Sequence, residues 1–158
     1  MKLFTDGSVH PQTKVGYGAY LLVKELDTSM TALETDVITK RFMGTSSTKL
    51  ELQTLLWALK EIQTSDRHIT IYTDSQNTMG LLNRRERFEQ NNYLTSKGRL
   101  ITNHKLYQEF YRLTDRLECS FVKVKGHKQA AKMDLVDKIF AHVDKGSREA
   151  LRNYLRNV

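Results

Sequence analysis

Two short apolar runs, "KLFTDGS" near the start of the chain and "HITIYTDSQ" in its middle, each end on an aromatic, a threonine and an aspartate. Both read as β-strands, and an acid at the end of an apolar run sits at the edge of a core rather than on open surface. Asp6 and Asp74 can meet if the two strands are neighbours, although nearly seventy residues separate them. Each acid also has a local explanation. Asp6-Gly7 is a common turn pair, and Asp74 suits a helix N-cap, worth about 1 kcal/mol.

The remaining elements follow from periodicity. "VGYGAYLLVKE" reads as a second strand and "ALETDVITKRFMG" as a third, with "LDTSMT" as the loop between them. Thr45 to Thr48 supply N-cap candidates for a helix whose stripe is Leu52, Leu55, Leu56, Leu59 and Ile62. Glu51, three residues after Thr48, fits a capping box, yet it also lies at the border of the stripe, where it can reach a site. "SQNTMGLLN" and "KLYQEFYRLTDRL" read as helices and "CSFVKVKG" as a strand. A helix from Gln129 to near Asp144 is expected to break at Gly146-Ser147 before a last short one. Strands joined first by hairpins and then through helices predict an α/β fold, a mixed sheet covered by helices.

That last stretch offers two acids. Relative to Val136, Asp134 falls about 160° round the helix and Asp137 about 100°. Asp137 is therefore the better placed to reach a site beside the sheet.

Composition adds a contrast. Lys and Arg number 25 against 18 Asp and Glu, a net charge of +7, which points to a polyanionic partner, nucleic acid above all. The 158 residues suit one domain. No apolar run reaches the ~18 residues of a membrane span, so no membrane partner is expected. The lone Cys119 allows no internal disulfide and no thiol-rich zinc site. With no apolar stretch at Met1-Lys2-Leu3, it points to the cytoplasm. Four carboxylates gathered in such a basic protein would repel one another unless cations neutralised them. Oxygen-only ligands suit Mg²⁺, with Mn²⁺ as a substitute. Two such ions ~4 Å apart support in-line phosphodiester hydrolysis.

"FTDGS", "TKLELQTLLWAL", "IYTDSQ" and "VKGHKQAAKMDLVDKI" resemble, in order, the four blocks of type 1 ribonuclease H, of the ribonuclease H-like superfamily. The resemblance implies a five-stranded mixed sheet, its first three strands antiparallel, with helices on both faces. It implies a single catalytic domain over 1–158 without a separate hybrid-binding domain, and a monomer. It also implies an endonuclease that cuts the RNA strand of an RNA–DNA hybrid and leaves 5′-phosphate and 3′-hydroxyl ends. Asp6, Glu51, Asp74 and Asp137 match the acids that hold two Mg²⁺ ions in that family, and His127 matches its mobile-loop histidine, which aids proton transfer or product release. Gly7 and Ser8 stand beside the first acid. Ser47 and Thr48 replace a pair of asparagines that contact the minor groove, Gln12 replaces another asparagine, and Gln76 follows the pattern. The segment from Asn83 to Lys105 takes the place of a basic protrusion. Arg84, Arg85, Arg87, Lys97 and Arg99 are its candidate phosphate contacts, against two acids, Glu86 and Glu89. Three other readings stay open: a DNA-cutting nuclease of the same superfamily, a hybrid-binding module without catalysis, and an interaction domain with a basic face.

Overall fold

A computed structural model of the chain describes residues 1–24, 31–62, 68–125 and 128–158. Five strands form one sheet in the order β3-β2-β1-β4-β5. Strands β1 (Lys2–His10), β2 (Val15–Val23) and β3 (Ile38–Phe42) pair antiparallel. Strands β4 (His68–Thr73) and β5 (Glu118–Lys123) add in parallel beside β1. This is the mixed sheet expected from the sequence, with its first three strands antiparallel.

Period-two alternation gives the sheet two apolar faces. Leu3, Tyr20, Ile69 and Ile71 face one core, together with α2 (Ser47–Glu61), α4 (Leu81–Gln90) and α5 (His104–Arg116). Phe4, Ala19, Leu21 and Tyr72 face the other, under the short α1 (Thr31–Glu34) and the long α6 (Leu135–Arg156). Helices thus cover both faces. Among the described residues no helix is long and apolar enough to cross a membrane.

Several boundaries differ from the sequence expectation. Asp6 does not close β1, which runs on to His10 because β2 keeps pairing with it as far as His10↔Val15. The third strand is shorter than "ALETDVITKRFMG". Its first residues form α1, whose Ala32 and Leu33 pack onto the α6 core, and strand begins only at Ile38. The expected loop at 26–31 falls almost wholly outside the described residues. "SQNTMGLLN" is not one helix: α3 (Gln76–Met79) ends at Gly80 and α4 begins at Leu81.

The largest difference concerns the last helix. It starts later than expected, after a 3-10 turn at Ala130–Lys132, and then does not break. α6 passes through Gly146 and Ser147 without interruption for 22 residues. The Ser147 hydroxyl donates to the Asp144 carbonyl at 3.0 Å and lies 2.9 Å from Ser8 Oγ on β1. Gly146 faces Val37 so closely that a Cβ would stand 3.0 Å from Val37 Cγ1. The Gly-Ser pair that signals a break is here a close contact between helix and sheet.

Candidate active site

The parallel pairing of β1 and β4 brings the two strand-borne acids together. Lys2, Leu3 and Phe4 pair with Thr70, Ile71 and Tyr72, and continuing that register by two places sets Asp6 opposite Asp74. The aromatics of the two motifs stack, Phe4 on Tyr72, with ring centroids 4.5 Å apart and planes 9° from parallel. β4 ends at Thr73 while β1 continues, so the sheet opens a notch at the level of the two acids.

α6 crosses that notch. Asp134 is its N-cap and forms a reciprocal capping box with Asp137: the Asp137 amide donates to Asp134 Oδ1 at 2.8 Å, and the Asp134 amide donates to Asp137 Oδ2 at 3.2 Å. Asp137 is buried, as its position at the border of the apolar stripe predicts. Asp6, Asp74 and Asp137 line one cleft of about 260 Å³, together with Asp144, Lys125, Lys128 and Arg148.

Glu51 reaches the same corner from the opposite face of the sheet. α2 can approach closely because the strands beneath it carry glycine. A Cβ on Gly7 would stand 2.9 Å from Leu50 Cδ2, and one on Gly18 would overlap the Thr54 side chain. Ser46 caps α2 by accepting from the Lys49 amide, so Glu51 lies beyond the capping position and Thr48 forms no box with it. Likewise Ser75, not Asp74, caps α3 through the Thr78 amide. Glu51 bonds to Ser75 and feels the charge of Asp74, although it does not itself line the cleft.

The electrostatics are those of crowded carboxylates. Burial, a hydrogen bond to the Asp144 carboxyl and the charges of Asp74 and Asp144 push Asp6 up to about 9, against a smaller opposing effect from the Gly7 amide. Burial also raises Glu51, helped by Asp74 and partly offset by Ser75. Burial would raise Asp137 too, but the Lys128 ammonium at 3.0 Å and the bonds to Asp134 bring it below the ordinary carboxylate range. Among the described residues, no three His, Cys, Asp or Glu side chains are gathered so as to hold one metal ion. Asp137 turns to Lys128, and Asp6 to Asp144. The acids that line the cleft, Asp6, Asp74, Asp137 and Asp144, nevertheless offer only carboxylate oxygens, the chemistry that fits a hard divalent cation.

His127 lies outside the described residues; Lys125 and Lys128, on either side of it, both line the cleft. Ser8 contacts Ser147, and Gln76 accepts from Lys123 Nζ at 2.6 Å. Gln12, Ser47 and Thr48 are exposed. The five basic candidates divide into two groups. Arg84 clamps the α3–α4 junction by donating to the Gly80 carbonyl and to both oxygens of Asn77. Arg85 forms a two-pronged bond with Asp115 and a third with Glu89. Arg87, Lys97 and Arg99 are exposed, the latter two on the turn closed by the Leu94↔Leu100 bridge.

Sequence reasoning missed Asp144 and Arg148. The signal was present, since Asp144 follows Asp137 by seven residues, two helical turns. Arg148 was hidden by the break expected at Gly146.

Comparisons with known proteins bear on the family and the fold. A family model described as RNase H matches residues 1–143. A ribonuclease H of Orientia tsutsugamushi is 27% identical over 154 residues, covering 96% of this chain and 84% of that protein. One from Acetivibrio thermocellus is 26% identical over 142 residues, covering 88% and 90%. Among solved structures, a foamy viral protease-reverse transcriptase in complex with dsDNA superposes with a TM-score of 0.62 at 15% identity, over 92% of each chain, a likeness of fold. A family match across nearly the whole sequence makes this chain a member of the RNase H family and an enzyme of the ribonuclease H class.

Proposed function

We propose that the protein hydrolyses the RNA strand of RNA–DNA hybrids and leaves 5′-phosphate and 3′-hydroxyl ends. The observation that carries this reading is the convergence of Asp6, Asp74 and Asp137 on one cleft, with Glu51 joined to the same corner through Ser75. Asp6, Glu51, Asp74 and Asp137 would hold two divalent cations, Mg²⁺ or Mn²⁺, whose chemistry when bound is to acidify a water and to offset charge on the departing oxygen. The water oxygen bonds to phosphorus and the bond from phosphorus to the 3′-oxygen breaks.

The chain's own residues do the rest. Asp6 is held in place by the Gly7 amide and Asp144. Glu51, and backbone near Gly7, would read the ribose 2′-hydroxyl, the group that separates RNA from DNA. His127, by the resemblance, would accept or deliver a proton. Arg87, Lys97 and Arg99, exposed on α4 and the following turn, would hold the phosphates of the DNA strand.

The test is cleavage of labelled RNA–DNA hybrid, double-stranded RNA and duplex DNA, each with Mg²⁺, Mn²⁺ or EDTA. Only the hybrid should be cut, only with a divalent ion, and Asp6→Asn should abolish turnover while leaving hybrid binding. A second reading, hybrid binding without catalysis, is favoured by the Lys128 ammonium seated on Asp137. Tight binding with no cleavage under any ion would establish it instead.

A further inference from the structure

The acidic cleft contains a cation outside the matched family region. Arg148 lies past residue 143, where the family match ends, yet it lines the same cleft as Asp6, Asp74 and Asp137. We propose that Arg148 is a substrate-binding residue, a contact for a phosphate of the strand being cut, and that Asp144 aims it; this rests on the nuclease reading above.

Continuity of α6 is what places the pair. Asp137, Asp144 and Arg148 follow one another at seven and four residues along an unbroken helix, so all three stay on its cleft side. Arg148 sits one turn beyond Asp144, about 6 Å further along the axis. Its Nη2 is 2.9 Å from Asp144 Oδ2, and Asp144 is in turn bonded to Asp6. A chain of contacts therefore runs from the acid of β1 to the guanidinium.

Arg148 keeps the means to bind. Its side chain is 54% exposed, and a guanidinium with five donors engaged by one carboxylate still has donors free for a phosphate. The other cations of the cleft are lysines, and Lys128 is bonded to Asp137. Arg84 and Arg85, by contrast, are committed to partners within the fold. A strand whose scissile phosphate lies among the acids would meet Arg148 at a neighbouring phosphate.

The experiment measures the Kd of an RNA–DNA hybrid against KCl concentration in Mg²⁺. It uses the full chain carrying Asp6→Asn so that nothing is cut. Arg148→Ala should raise Kd about tenfold, the worth of a charge-assisted contact, and reduce the slope of log K against log salt by about one. Arg148→Lys should recover the slope but only part of the affinity, since it keeps the charge and loses the fork. Arg152→Ala, one turn further on and outside the cleft lining, should change Kd less than about twofold. An Arg148→Ala chain with unaltered Kd and slope overturns the proposal. So does an equal loss on Arg152→Ala, which would mean general charge, or an Arg148→Lys slope no better than that of alanine. Wild-type chain that neither binds nor cuts the hybrid would instead bring down the nuclease reading, and this inference with it.

Discussion

At the scale of single residues, burial and partner decide what a titratable group does, and Cys119 shows it apart from the cleft. It sits on β5, half-buried, and burial alone pushes its thiol from 9.0 to about 11. A thiol reagent should therefore react slowly at pH 8, with half-maximal reactivity near pH 11; a midpoint near 9 would contradict the burial. The unfolded chain gives up this proton near pH 9 and the native chain only near 11. Stability should thus be untouched below pH 9 and fall as pH rises through that window. The basic residues teach the same lesson about partners. Arg84 and Arg85 look like phosphate contacts in the sequence, yet one is a helix clamp and the other an ion-pair hub stacked over Tyr111. Charge is written in the sequence; availability is not.

At the scale of elements, the placement of Glu51 depends on how near α2 comes to the sheet. Gly7, Gly16 and Gly18 form the floor beneath it, and a Cβ at Gly16 would stand only 2.7 Å from Leu50 Cδ2. Gly18→Ala should overpack against Thr54 and cost about 1–3 kcal/mol in urea unfolding. It should also slow turnover, because lifting α2 moves Glu51 away from Ser75 and Asp74. Unchanged stability would mean that the floor yields without strain. The existence and kind of most elements were legible, since stripes and alternation survive into the fold. The junctions were less so. Gly80 breaks a helix that reads as continuous, whereas Gly146 sits within a helix that reads as broken. The difference is external: Val37 packs against Gly146 and Ser8 meets Ser147, and neither neighbour is close in sequence.

For the whole molecule, the central fact is a +7 chain that concentrates carboxylates in one cleft. Folding gathers charges that the unfolded chain keeps apart, so anything that neutralises them selectively binds the native state. Mg²⁺ should accordingly raise the thermal midpoint over EDTA. At ten times its Kd the gain is about 1.4 kcal/mol, or roughly 3–6 °C for a domain of this size, and Asp6→Asn should lose most of it. No shift with Mg²⁺ or Mn²⁺ would mean that the acids hold no cation.

The sequence by itself determined the fold class and named four of the acids, because strand ends, helix stripes and short motifs are local patterns that a chain displays without folding. It could not show that β1 continues past Asp6, that α6 runs unbroken, or that Asp144 and Arg148 share the cleft with Asp137. Those facts depend on contacts between β1, β3 and α6, segments some hundred residues apart, whose meeting exists only once the sheet has assembled.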